Sequence, residues 1–470
     1  MPRKAALAIL SFAVLVTAMQ APFVPARFRF APVPFRKLLE FRPRELLLHP
    51  PVYEIVEPVY RPHAMSRNAV PGLSDATGNL RHFYTALWRT EQRAPGAVTR
   101  VLHYGDSPTT ADSVTADIRA LLQQRFGDSG HGFVLIAKPW AWYGHRGVDL
   151  RADGWHIEAA TMGRAADGFH GLGGVSFTGE TGASSTVTLP AGHTRMELQY
   201  LEQPGGGTLR LTAGGEEIGT VETSGDAKTP RFAAFPLPAG ARAVTLRVTE
   251  GRARVFGWTF EKNRPGVIYS SLGLNGGQVE AVLWYFEPRQ WTAELRHADP
   301  DLVVINYGTN ESVYPAYVDK TYEHELRALV DRVRVALPTA SLLIMSPMDR
   351  GTRDSSGDIV TPPVFSRLIA IQQKVAADTG CAFFNTFEMM GGAGTMAKWY
   401  SAQPRLVSAD FMHPLPAGAA IVGRLAEEAL MKGYAGYKAA NGVPETPVAM
   451  AKPPATATES SVTKKKKRAR

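Results

Sequence analysis

The chain has 470 residues, 44% of them hydrophobic and 20% charged, which excludes a disordered chain and exceeds what one ordinary core organises, so two domains plus tails are expected. Its formal charge of +9 suggests nucleic acid, but residues 451–470 alone hold seven basic residues against one acidic, and the remainder is nearly balanced. No nucleic-acid partner is therefore expected, and the single cysteine, Cys381, excludes an intramolecular disulfide or a thiolate zinc cluster.

In chain order, Arg3 and Lys4 precede an apolar run over residues 5–19, the layout of a secretory signal. The run is shorter than the ~20 residues that a spanning helix needs. Export to the periplasm or cell envelope is expected, with residues 1–19 acting as a signal peptide or an N-terminal anchor. Residues 20–75 are rich in Pro and Arg and read as an extended linker. The first helix is predicted over 79–91, where Leu80, Tyr84, Leu87 and Trp88 recur at helical spacing.

Two segments, 76–150 and 265–436, then alternate strand and helix. Strands are predicted at 99–104, 267–271, 302–306, 341–346 and 382–384. Helices are predicted at 110–126, 280–286, 320–336, 364–379 and 417–432. Apolar strands alternating with amphipathic helices predict an α/β fold with a doubly wound parallel sheet. Residues 151–264 differ: short alternating runs such as Thr208-Leu-Arg-Leu-Thr212 are separated by Gly-rich and Pro-rich turns, which predicts an inserted antiparallel β-sandwich. Trp155, Trp258 and Phe256 within it either stack on sugars or fill its core. Residues 437–470 turn to Pro, Ala, Thr and Ser before Lys464–Arg468. This basic tail is expected to be disordered, either solvated or touching an anionic membrane or wall polymer.

The chemistry-bearing motifs fall at strand ends. Gly105-Asp106-Ser107 ends the first strand, Gly308-Thr309-Asn310 follows another, and Asp410-Phe-Met-His413 opens the last helix. A serine hydroxyl is a poor nucleophile until a histidine takes its proton and a carboxylate orients that histidine. Ser107, His413 and Asp410 supply those roles in the order Ser, Asp, His. Ligands of such sheets bind beyond the carboxyl ends of the strands, where these motifs gather. Asp106 reads as an acceptor organising the turn. His103, His131, His145 and His170 lack metal-ligand spacing and no phosphate-cradling motif is present, so neither a metal nor a nucleotide cofactor is expected. The stretch Trp140-Ala-Trp142-Tyr143-Gly-His145-Arg146 either lines a substrate groove or packs.

These motifs resemble the SGNH (GDSL-type) hydrolase family over roughly residues 98–150 and 265–432. The resemblance implies Ser107 as nucleophile, His413 as general base, Asp410 as its orienter and a flavodoxin-like sheet. It further implies an oxyanion hole from the Ser107 amide, the Asn310 side chain and a glycine in Ser271-Leu-Gly273-Leu-Asn-Gly276-Gly277, where Gly273 and Gly276 both qualify. Gly105, Asp106 and Gly308 complete the motifs. Pro108 and Glu311 depart from the family's commoner residues at positions that do no chemistry. Inserted jelly-roll-like sandwiches accompany exported members that deacetylate wall glycan, so the expected activity is hydrolysis of O-acetyl esters on a polysaccharide, peptidoglycan first, or of another small ester. A carbohydrate O-acetyltransferase with the same triad, a lipase or thioesterase, and a glycan-binding protein with a vestigial catalytic domain remain as alternatives.

Overall fold

The computed structural model describes residues 70–162 and 167–442. The expected signal or anchor, the linker up to residue 69 and the tail beyond residue 442 lie outside them. Among the described residues no helix is long and apolar enough to cross a membrane.

In chain order the strands are β1 (Leu73–Ser74), β2 (Val98–Gly105), β3 (Gly130–Val134), β4 (Asp149–Ala159), β5 (Val175–Thr188), β6 (Arg195–Glu202), β7 (Thr208–Ala213), β8 (Glu216–Glu222) and β9 (Thr229–Pro236). They continue as β10 (Ala243–Glu250), β11 (Arg252–Glu261), β12 (Gly266–Gly273), β13 (Leu302–Asn306), β14 (Ser341–Met345), β15 (Thr352–Arg353), β16 (Ile359–Val360) and β17 (Ala382–Phe384). One sheet has the order β1-β17-β14-β13-β2-β12, parallel except for the edge strand β1. Its five parallel strands therefore run 2-1-3-4-5 in chain order, the flavodoxin-like arrangement whose switch point lies beside the first strand.

Both faces of this sheet are covered, as a parallel sheet requires. Leu302 and Val304 point into one core with the helices Arg81–Glu91, Ser113–Phe126 and Pro416–Ala440. Val303 and Ile305 point into the other with the helices Val279–Tyr285, Pro288–Ala298, Glu323–Ala336 and Val364–Thr379. The helix Pro288–Ala298 was not evident in the periodicity; its signal is the Glu287 carboxylate accepting from the Gln290 amide, with Pro288 at the first helical position.

The predicted boundaries shift where tertiary contacts decide them. Leu73 and Ser74, inside the expected linker, form the edge strand β1 and pair with β17. The Asp75 carboxylate caps the amides of Asn79 and Leu80, so the first helix starts at Arg81. The last helix continues to Ala440, past the expected start of the tail at 437. There Lys438 is buried on Glu91, and Tyr434 donates to the same carboxylate at 2.7 Å.

The insert is one continuous nine-stranded antiparallel sheet that wraps nearly into a barrel. It draws on β3, well before residue 151, because Gly132–Val134 pair with Trp258–Phe260. The fourteen residues of β5 pair with β4 along one edge and with β11 and then β10 along the other, which bends the sheet back on itself. Trp258 and Phe256 fill its core, Trp155 is half-buried, and Cys381, in the parallel half, is buried. Its interior is continuous with one face of the parallel sheet, and Tyr104 of β2 donates to Leu172 O at 3.1 Å while accepting from Trp291.

Candidate active site

Register brings three strand ends level: Gly105 of β2 lies opposite Gly273 of β12 and Asn306 of β13. Ser107 follows Gly105 as the first residue of a four-residue helix, Ser107–Thr110. Its amide has no intrahelical acceptor because the first amides of a helix never do. The turn is packed hard against β12. A Cβ on Gly273 would lie 2.0 Å from Thr110 N and 2.3 Å from the Thr109 carbonyl carbon, so only glycine lets the two segments meet. Ser107 is 6% exposed.

His413 meets it from the other side. The His413 Nε2 to Ser107 Oγ distance is 2.7 Å, and His413 Nδ1 lies 2.6 Å from Asp410 Oδ2. The loop that carries them is built from short-range bonds: Asp410 Oδ1 accepts from Ser408 Oγ and from the amides of Met412 and His413. This turn needs a left-handed residue, and Phe411 takes φ 59°. Phe411 is held there by the edge contact with Tyr400, by Arg353 over its ring and by Gly351 N donating to its carbonyl. Asp410 does not cap the final helix, whose N-cap is Leu415.

Burial pushes the Asp410 carboxyl up, but the bonds from Ser408 and from the His413 amide and ring outweigh it and hold it at about 2. An ionised Asp410 can only accept, so His413 Nδ1 carries the proton and Nε2 is left to accept from the serine hydroxyl.

Asn310 sits at the end of β13, and its Nδ2 donates one proton to Gly277 O at 2.8 Å, leaving the second free. Gly276, at φ 68°, is exposed with open space above its Cα. Of the two glycine candidates, Gly273 is buried with its Cα packed against Thr109 and Thr110, and Gly276 is exposed. Gly308, at φ 132°, lies against Leu368 and Pro347. Asp106 is buried, and burial pushes its carboxyl up to about 6, partly offset by bonds from Thr309.

Two supports were not legible as such. Glu311 is fully buried and accepts from Val279 N at 2.9 Å with one oxygen and from Gly308 N at 3.0 Å with the other, tying the Gly276 loop to the Asn310 loop. Burial pushes its carboxyl up to about 8. Asp112, left-handed at φ 50°, forms a buried pair with Arg119 at 2.5 Å and accepts from Arg146 N at 2.8 Å, joining the Ser107 helix, the next helix and the 140–146 loop. The sole sequence signal was the Glu at the end of the Gly-x-Asn motif; Asp112 and Arg119 gave none.

The α/β sheet thus sets Ser107, His413 and Asp410 in one hydrogen-bonded line beside its switch point, an arrangement suited to serine-ester chemistry. Residues 239–421 match the model of the GDSL-like Lipase/Acylhydrolase family, and the chain carries that domain. The match holds Gly276, Asn310, Asp410 and His413. It begins inside the insert, which separates it from the strand that carries Ser107. The structure is similar to a solved peptidoglycan O-acetylesterase at 21% identity and a TM-score of 0.67, covering 77% of this chain and 99% of that one. Weaker similarities include a Bacillus subtilis protein (15% identity, TM-score 0.32, 60% of this chain and 90% of that one). A family two carbohydrate esterase from Clostridium thermocellum in complex with cellohexaose is at 12% identity and a TM-score of 0.28, covering 62% and 100%. No curated protein sequence matches the chain.

Proposed function

We propose that this esterase removes O-acetyl groups from a polysaccharide, peptidoglycan being the first candidate, with Ser107, His413 and Asp410 as its triad. The observation that carries the reading is the continuous chain Ser107 Oγ–His413 Nε2 and His413 Nδ1–Asp410 Oδ2, at 2.7 and 2.6 Å. Ser107 Oγ attacks the acetyl carbonyl carbon as its proton passes to His413 Nε2. The Ser107 and Gly276 amides and the free Asn310 N–H receive the developing oxyanion. Collapse expels the sugar oxygen, which takes the proton from Nε2. Water then repeats the sequence on the acetyl-serine and releases acetate.

One feature supports a large alcohol as the leaving group. The acid–base partners lie open, with His413 41% and Asp410 49% exposed, so a polymer can reach them. The fold shared with a peptidoglycan O-acetylesterase favours that glycan first.

The test is acetate release from O-acetylated peptidoglycan by the wild type and by Ser107→Ala in parallel. Release by the wild type alone is the expected result. Cleavage of p-nitrophenyl acetate with no release from the polymer would remove the wall glycan and keep the esterase. Export, expected from residues 1–19, fits this substrate and is tested by fractionating cells that express the full chain.

A further inference from the structure

The 140–146 loop carries three aromatic residues with different fates. Trp140 is 9% exposed and Tyr143 5%, whereas Trp142 between them is 54% exposed. The buried pair anchors the loop, the Tyr143 hydroxyl accepting from Leu135 N at 2.9 Å. Two further bonds hold the loop at the site: Gly144 N donates to Thr110 O at the end of the Ser107 helix, and Arg146 N donates to Asp112. Trp142 Nε1 itself donates to Asn275 Oδ1 at 2.9 Å, and Asn275 is the residue before Gly276. The indole is therefore held by its polar edge beside the Gly276 loop while about half of the residue stays in water.

An indole held in place but uncovered beside a site offers apolar surface that a ligand can bury. Of the six exposed large apolar side chains among the described residues, two more, Val313 and Tyr314, follow Asn310 directly. Tyr314 is 58% exposed, and its amide donates to Glu311 O. Exposed aromatic surface thus flanks both loops that supply the oxyanion donors.

We propose that Trp142 is a stacking platform for a sugar ring of a polymeric glycan, with Tyr314 offering a second contact further along the chain. The inference rests on the polysaccharide reading above and narrows it to an extended saccharide. A pyranose presents a flat face of C–H groups that matches an indole held in one orientation, and fixing the indole in advance lowers the ordering cost of binding.

The experiment compares Trp142→Ala and Trp142→Phe with the wild type, on O-acetylated peptidoglycan and on p-nitrophenyl acetate. The alanine variant is expected to lose at least about tenfold more kcat/KM on the polymer than on the small ester, chiefly through KM. The phenylalanine variant, which keeps a ring but lacks the N–H to Asn275, is expected to retain most of the polymer activity. In the Ser107→Ala background, calorimetric titration with a tetrasaccharide of N-acetylglucosamine should show binding that Trp142→Ala abolishes and Trp142→Phe preserves. Equal losses on both esters, or a phenylalanine variant as impaired as the alanine one, would overturn the platform and leave Trp142 as a brace for the Gly276 loop. If the wild type releases no acetate from the polymer, the substrate reading fails, and the titration still decides the platform: unchanged binding in Trp142→Ala rejects it.

Discussion

The two halves of the proposed triad are held by different means. Ser107 is almost fully buried, and its place depends on contacts distant in sequence: Gly273 beneath the turn, the Asp112–Arg119 pair behind it, Ser271 donating to Thr109 O. Asp410 and His413 lie open and are set by bonds within six residues, from Ser408 to His413. The nucleophile is thus a property of the whole sheet, while the acid–base pair is a property of one loop. Damage to the braces behind Ser107 is expected to appear as lost stability together with lost activity, damage to the Asp410–His413 loop chiefly as lost activity.

The largest expected effect is chemical. Ser107→Ala should lower kcat on p-nitrophenyl acetate by on the order of 10⁴ or more, with thermal stability little changed. A residual of a few per cent would mean that another group is the nucleophile. Asp410→Asn keeps the Oδ1 acceptor for the loop amides and removes only the charge facing His413 Nδ1. A fall in kcat of roughly 10²–10⁴ with only a small drop in melting temperature, from the half-exposed charge, is expected. Because the folded carboxyl is held at about 2, below its unfolded value, the stability it contributes is complete above about pH 4 and is lost as pH falls through 2.

On the buried side, Asp112→Ala strands Arg119 without its partner and should cost about 3–5 kcal/mol in urea unfolding, with activity falling alongside. Combining it with Arg119→Met should recover most of that loss, and failure to recover would show that the pair's hydrogen bonds to Thr115 and Arg146 matter more than its charges. Glu311→Gln turns an amide N–H₂ toward Val279 N or Gly308 N. A loss of about 1–3 kcal/mol is expected, together with a drop in kcat and little change in KM as Gly276 and Asn310 separate. An unaltered kcat would detach Glu311 from the oxyanion loops.

The smallest effect concerns pH. His131, His145 and His193 cluster behind the 140–146 loop, with ring centroids 5.1 and 5.3 Å apart, and burial lowers all three, His131 to about 2 and His145 to about 3. Folded values below the unfolded one, near 6.5, mean that this stability is complete above about pH 6.5 and is lost as pH falls. His131→Phe keeps the stack on His193 without titrating. Between pH 7.5 and 5 it should lose about 2 °C less in Tm than the wild type, and identical slopes would locate the acid sensitivity elsewhere.

Local signals were legible in the chain by itself. The strands at 302–306 and 382–384 and the helix at 364–379 fall where apolar periodicity puts them, because both sides of a buried parallel strand must be apolar. The Asp-x-x-His turn and the strand-end positions of Ser107 and Asn310 were legible for the same reason: their spacing is a matter of neighbouring residues. Other features depended on partners far along the chain. Periodicity cannot say that residues 130–134 leave the α/β half to pair with β11, since pairing is a contact over more than a hundred residues. Nor can it say which glycine packs and which is exposed: Gly273 is distinguished from Gly276 only by the backbone of Thr109 and Thr110 lying against it. Trp140, Trp142 and Tyr143 are three aromatics of equal hydrophobic promise, and two are buried because neighbouring segments cover them. The sequence by itself thus determined the order and type of most elements and the spacing of Ser107, Asp410 and His413, which are set by short-range sterics and patterning. The tertiary structure alone decided burial, register and the braces at Asp112 and Glu311, since these arise from segments brought together only by the closed sheet.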